Sequence, residues 1–405
     1  MLRLIPLREA WRLIKDRLPR IKLEVITLSA SKAQGFIAAE DVLAKTTIPE
    51  KDIALFDGFA VRAEDVFSAS HSNPVILRIS RSPHVAPGEA FPIMTGMPLP
   101  EGANAVVPLE YVRCRGNLLE VYRKVPPFAY VARRGEDVEE GTRIVAKGTL
   151  IGALEVAMML RGGVNRVHVF RPLRIGMVVI GSELTRDPNQ VSKGKVMDVT
   201  SIVVRAVLGK YAKFQDYGIV PDELKLILRA ISSAAEENDI VITIGGTSIG
   251  ERDLTVKAVE QLGDILFHGV SIMPGRPMAA GVIGKTPVFT LSGFPVAAFS
   301  EVKFIVEPYV LKLIYGSSPR FYPMFAIAGR RIPSRIGVLE MVRVELKLTN
   351  NKLVAYPIRA RGSGILSSIV MADGVVIVEE DFEGYDEGDL IPVFRLEDPW
   401  GLRYV

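Results

Sequence analysis

Three short segments of this chain bring glycines and hydroxyls together as a phosphate or another oxyanion requires. They are Gly181-Ser182-Glu183, Gly245-Gly246-Thr247-Ser248-Ile249-Gly250 and Ser292-Gly293-Phe294-Pro295. They follow apolar runs at 175–180, 240–244 and 288–291, and the last opens a long helical pattern. A glycine turn that opens a helix leaves backbone N–H groups free to bind an anion. The same glycines also suit a tight strand-to-helix turn, and for any one loop both readings stand. Three such loops at one sheet edge favour an anion site.

Charged groups stand close by. Glu183 belongs to the first loop, Glu251 and Asp253 sit behind the second, and Asp239 precedes the strand that leads to it. In Met273-Pro274-Gly275-Arg276-Pro277, two prolines stiffen a turn presenting one guanidinium, suited to bidentate contact with an oxyanion. A solvated loop arginine is the alternative. Further turns at Asp57-Gly58-Phe59-Ala60, Thr95-Gly96 and Arg134-Gly135-Glu136-Asp137, taken singly, read as ordinary turn chemistry. Nucleotide fingerprints do not fit. Gly284-Lys285-Thr286 resembles the end of a P-loop, but the first glycine of that motif would fall on Ala279, and the flanking pattern is a hairpin. One cysteine, Cys114, permits no internal disulfide, and four scattered histidines, His71, His84, His168 and His268, exclude a Cys/His zinc site.

Such residues need rigid elements to hold them. The chain has 405 residues, 48% hydrophobic and 24% charged, which suits two to four domains with full cores. Its 50 basic and 46 acidic residues leave +4 with no basic run, so nucleic acid is not an expected partner. No apolar stretch reaches the roughly 18 residues of a membrane span, so no membrane partner is expected either. The charged stretch from Met1 to Arg20 lacks a signal-peptide core, and a cytoplasmic protein is expected.

Leu7, Trp11, Ile14 and Leu18 predict an amphipathic helix stopped by Pro19. Residues 46–131 read as a compact β domain and 151–160 as a helix. From 173 to 315, unbroken apolar strands alternate with helical faces. These are Ile202, Val203, Ala206 and Val207; then Leu224, Ile227, Leu228 and Ile231; then Val256, Val259 and Leu262. That alternation predicts a doubly wound α/β domain with a mainly parallel sheet, whose ligands bind at the strands' carboxyl ends. After Pro319, strands over 338–348 and 374–378, with Asn350-Asn351 as a hairpin turn, predict a small β domain.

Several segments together resemble the MoeA family of molybdopterin molybdenumtransferases, related to the E domain of gephyrin. They are Phe56-Asp57-Gly58-Phe59-Ala60; the long stretch from Ile93 to Val107 through Thr95-Gly96-Met97-Pro98-Leu99-Pro100; Arg134-Gly135-Glu136-Asp137; Gly181-Ser182-Glu183-Leu184; the run from Gly245 to Asp253; Pro274-Gly275-Arg276-Pro277; and Arg361-Gly362-Ser363-Gly364 with Ala372-Asp373-Gly374. The match spans nearly the whole chain, in order. It implies an α/β plus β, multidomain, elongated chain. An N-terminal helical linker domain would combine 1–45 with 132–171, around an inserted β domain at 46–131. A three-layer α/β molybdopterin-binding domain at 172–318 and a C-terminal β-barrel at 319–405 would follow. The family forms homodimers, with the active cleft between the α/β domain of one subunit and the inserted domain of the other.

The implied reaction takes adenylylated molybdopterin, handed over by a molybdopterin adenylyltransferase, and molybdate. It releases AMP with the help of Mg²⁺. On this resemblance Asp57, Thr95, Glu183 and Asp239 are catalytic, although Asp239 could instead cap the start of its strand. Gly245, Gly246, Ser248, Asp253, Pro274, Arg276, Ser292 and Pro295 bind substrate, and Asp57, Glu183 and Asp253 are the metal ligands. A dianion needs donors and cations, and a phosphoanhydride cleaved with Mg²⁺ needs carboxylates. The chain departs from the family pattern at Ser182 and Asn104, usually aspartates, and at Met273, usually lysine. Ser292 and Phe294 stand where Pro and Asn are usual, and Ile244 where a small polar residue is. A tungstate-handling paralogue, a scaffold on the same fold, and a different hydrolase using the α/β domain are the alternatives.

Overall fold

The computed structural model describes residues 4–246, 253–315, 322–358 and 362–401. The chain folds into two units, one of Val25–Val169 and the other of the residues up to Glu24 with those from Phe170 onward.

In the Val25–Val169 unit, a six-stranded sheet runs in the order Ala105–Pro108, Gly58–Val61, Glu89–Ile93, Val75–Ile79, Leu118–Val121, Val112–Arg115. Gly58–Val61 is buried at every position because both faces are covered. Phe59 and Val61 enter a core with Leu77, Val107 and Leu119, while Ala60 packs on the other side with Ala54, Ile93 and Val131. A smaller core, including Val42, Ile151, Met159 and Val167, forms around the helix Ala153–Arg161.

The second unit holds the α/β domain. Its sheet order is Ala212–Val220, Leu173–Ile180, Ile240–Ile244, Thr286–Leu291, Ala279–Ile283, Asp264–His268. The first four strands pair in parallel, and the last two pairings are antiparallel. The Gly284-Lys285 segment is the turn of the hairpin between Ala279–Ile283 and Thr286–Leu291, as its flanks predict. The faces predicted for Leu224–Glu237 and Leu254–Leu262 face the core through Ile227, Ile231, Val256 and Val259.

One expectation needs correction. Helix Thr200–Leu208 buries Thr200, Ser201, Val204 and Leu208, and leaves Ile202 63% exposed. Polar contacts set its rotation: Thr200 Oγ1 donates to the Gly293 carbonyl at 2.6 Å, and Ser201 Oγ meets Asp198 Oδ2 at 2.6 Å. Helix Leu7–Arg17 falls within the second unit, where Ile5 pairs with Val270.

The C-terminal sheet path runs Ile272–Met273, Leu339–Thr349, Lys352–Pro357, Met324–Ala328, Leu390–Val393, with Gly374–Val378 also on Leu339–Thr349. Backbone bonds between Val375 and Phe394 link Gly374–Val378 to the residue after the last strand. The hairpin turn at Asn350-Asn351 has φ of 49° and 59°, values asparagine tolerates better than most residues. Because Ile272–Met273 pairs with Leu339-Glu340, the turn that carries Arg276 is tied to this sheet.

Candidate functional site

Two cavities share a wall at the carboxyl ends of the parallel strands. The first, about 830 Å³, is lined among others by Glu183, Asp198, Asp222, Gly245, Gly246 and Pro295. Both glycines have positive φ, 85° and 65°, and neither position has room for a side chain. A Cβ on Gly245 would lie 2.3 Å from the Ile180 carbonyl oxygen, and one on Gly246 would lie 2.2 Å from Thr255 Oγ1. The second cavity, about 820 Å³, is lined by the Met273–Pro277 turn and by Ser334, Arg335, Glu340, Arg343 and Ser363. Pro277, Ser292 and Phe294 line both. The segment after Gly362 closes over this wall, with the Val296 N–H donating to the Ser363 carbonyl at 3.0 Å.

The expected backbone cradle is largely used inside the protein. Ser182 N–H donates to Asp222 Oδ2 at 2.7 Å, and Asp222 N–H returns a bond to Ser182 Oγ at 2.9 Å. Gly245 N–H goes to the Leu291 carbonyl, and Ser292 N–H goes to Glu301 Oε2 at 2.8 Å. The buried Nε of Arg276 meets no acceptor among the described residues, and its Nη2 has only Met273 Sδ at 3.9 Å. A buried guanidinium donor left without a partner is costly, so a ligand oxygen would be stabilising there.

The sequence-predicted carboxylates part company. Asp239 sits at the amino end of Ile240–Ile244, opposite the glycines, where Arg171 holds both its oxygens at 3.0 and 3.1 Å and Arg174 N–H adds 2.7 Å. It caps the start of the strand rather than serving the cavity. Asp253 is buried as the N-cap of Leu254–Leu262, accepting from Val256 N–H at 2.9 Å, with His268 Nε2 3.1 Å from its other oxygen. One carboxylate oxygen of Asp253 thus caps the helix, while the other faces His268. Ser248, like Thr247, Glu251 and Arg361, lies outside the described residues. Pro274, Arg276, Ser292 and Pro295 do line the cavities.

In the Val25–Val169 unit the structure joins Asp57 and Thr95. Thr95 donates its N–H at 2.7 Å and its hydroxyl at 2.9 Å to Asp57 Oδ1. These bonds hold the Asp57 carboxyl below the usual carboxylate range, so it stays charged at neutral pH. Asn104 has a local structural task, accepting Ala63 N–H at 2.7 Å and donating to Glu64 at 3.0 Å. No cluster of three or more metal-ligating side chains occurs among the described residues.

Sequence reasoning missed Asp198, Asp222, Glu301, Arg335 and Arg343. Asp222 stands two residues ahead of the helix Leu224–Glu237 and bonds Ser182 across the loop. Asp198 is buried and holds Ser201 and Arg186, the latter at 3.0 Å.

Comparison with known proteins bears on what this site is. Residues 5–163 match the family described as MoeA N-terminal region (domain I and II), 176–312 the probable molybdopterin binding domain, and 326–396 the MoeA C-terminal region (domain IV). The chain is 35% identical to the "Putative molybdopterin biosynthesis protein" of Methanocaldococcus jannaschii, over 97% of this chain and 98% of that one. It is 27% identical to the molybdopterin molybdenumtransferase of Bacillus subtilis, over 99% of this chain and 96% of that one. The crystal structure of a molybdopterin biosynthesis moeA protein from Pyrococcus horikoshii OT3 matches with a TM-score of 0.81 and 32% identity, covering 96% and 99% of the two chains.

Proposed function

Because the chain belongs to the MoeA family, we propose that it acts in molybdenum cofactor biosynthesis as a molybdopterin molybdenumtransferase. It takes adenylylated molybdopterin and molybdate or tungstate, releases AMP, and leaves the metal on the dithiolene. The observation that carries this reading is the pair of cavities with a common wall at Pro277, Ser292 and Phe294. One, with its double glycine and carboxylates, suits a pterin nucleotide. The other, with Arg276, Arg335 and Arg343, suits a tetrahedral dianion. Two substrates that must join then meet across one turn.

Glu183, with phosphate oxygens of the substrate, would hold a Mg²⁺ ion, since this cation takes few protein carboxylates and keeps other oxygens around it. The ion supplies charge neutralisation at the phosphoanhydride. Asp57, kept ionised by Thr95, orients the attacking oxygen. A homodimer brings the Asp57–Thr95 clasp of one subunit to the cavity of the other, and a molybdopterin adenylyltransferase delivers the pterin in the cytoplasm. A monodisperse monomer at micromolar concentration in light scattering counts against the dimer.

The test is turnover. Purified protein with adenylylated molybdopterin, Mg²⁺ and each oxyanion should release AMP and load metal together. Tight pterin binding without AMP release would return the protein to the scaffold reading.

A further inference from the structure

Glu301 has no part in the scheme above. It ends the helix Pro295–Glu301, is fully buried, and sits directly behind Ser292. Its Oε2 accepts Ser292 N–H at 2.8 Å, and its Oε1 lies 2.5 Å from Ser292 Oγ. Gly275 stands at φ 116°, and a Cβ there would come within 2.8 Å of Glu301 Cγ. One side chain therefore touches both turns, the one at Ser292 and the one that presents Arg276. The helix changes to a π turn at Val302–Val306 immediately after Glu301, a feature that often marks functional positions. Burial pushes the Glu301 carboxyl up to about 8, against the pull of the Ser292 bonds.

We propose that Glu301 is a positioning residue: its buried side chain clamps the Ser292 turn against the Pro274-Gly275-Arg276 turn and so fixes the spacing between the two substrate cavities. This rests on the transferase reading. If the residues lining the two cavities keep their own ligand contacts and Glu301 sets only the alignment of the two turns, losing it should spare binding and harm reaction. A misplacement of about 1 Å between reacting groups costs on the order of a hundredfold in rate.

The experiment measures kcat, KM for adenylylated molybdopterin and KM for molybdate in three variants, with Tm alongside. Glu301→Leu should keep both KM values within about threefold while kcat falls on the order of thirty- to a hundredfold. Glu301→Asp, which withdraws the carboxyl by one methylene, should do the same and decides the matter if the leucine variant fails to fold. Glu301→Gln can accept Ser292 N–H and donate to Ser292 Oγ, so its kcat should stay within a few-fold of the wild type. Wild-type kcat in Glu301→Asp overturns the proposal, as does a joint loss of both substrate affinities in that variant. Absence of AMP release in the wild type overturns the transferase reading, and this proposal falls with it; an active wild type matched by its variants removes only the role of Glu301.

Discussion

Glu301 also makes a stability prediction that needs no substrate. Its ordinary pKa of 4.5 is raised to about 8, with burial as the main cause and the two Ser292 bonds opposing it. Between those values the folded protein holds a proton that the unfolded chain has already released. Folded-state stability must then fall as pH rises, by about 1.4 kcal/mol per pH unit, or on the order of 4 kcal/mol across the window from 4.5 to 8. Below 4.5 both states are protonated and above 8 both are ionised, so the slope vanishes at each end. Glutamine cannot ionise, and Glu301→Gln should lack this slope while keeping both bonds to Ser292. Thermal unfolding of the two proteins at pH 5, 6, 7 and 8 isolates the effect, because every other titrating group is common to both. The wild type should lose Tm relative to the variant by a few °C per pH unit. Parallel curves would mean that Glu301 ionises at an ordinary pH, which requires water at the carboxyl and refutes the burial reasoning.

Other substitutions separate chemistry from scaffolding. Asp57→Asn keeps an acceptor for Thr95 but removes the charge, so AMP release and metal loading should fall together by on the order of a hundredfold with pterin binding retained; normal turnover would make Asp57 a turn residue. Arg276→Ala should weaken oxyanion binding by about 1.5–3 kcal/mol in calorimetry, and unchanged affinity would return Arg276 to the solvated-loop reading. Asp239→Asn breaks a charged pair with Arg171 far from the cavities; Tm should fall and kcat should hold, whereas a lower kcat at unchanged Tm would restore Asp239 to catalysis.

The parts of the fold that read directly from sequence are those fixed by local pattern. Strands covered on both faces, such as Ile240–Ile244, are unbroken apolar runs, and the turns at Gly284-Lys285 and Asn350-Asn351 carry their conformational demands in their own residues. The rotation of Thr200–Leu208 was not legible. Four apolar residues suggested one buried face, but bonds to Gly293 and Asp198 turned another inward. Asp222 and Glu301 were hidden for a similar reason: each meets its partner through tertiary folding, Asp222 with Ser182 forty positions away and Glu301 with Ser292 across a helix. Arg335 and Arg343 became part of the site only because the C-terminal sheet pairs with Ile272–Met273.

A glycine-rich turn after a strand announces backbone donors but not whether they remain free. Here the N–H groups of Ser182, Gly245 and Ser292 are all taken by acceptors within the protein. The turns are thereby rigid, and their shape is set before a ligand arrives. The buried Nε of Arg276, by contrast, meets no acceptor among the described residues, so a ligand oxygen would be stabilised there. Such a division suits a site for two different substrates. Fixed turns give the larger one a surface of defined shape, while a guanidinium responds to charge and tolerates oxyanions of similar size. It follows that replacing Arg276 should act mainly on oxyanion affinity and disturbing Glu301 mainly on turnover, and finding the two effects interchanged would contradict the division itself.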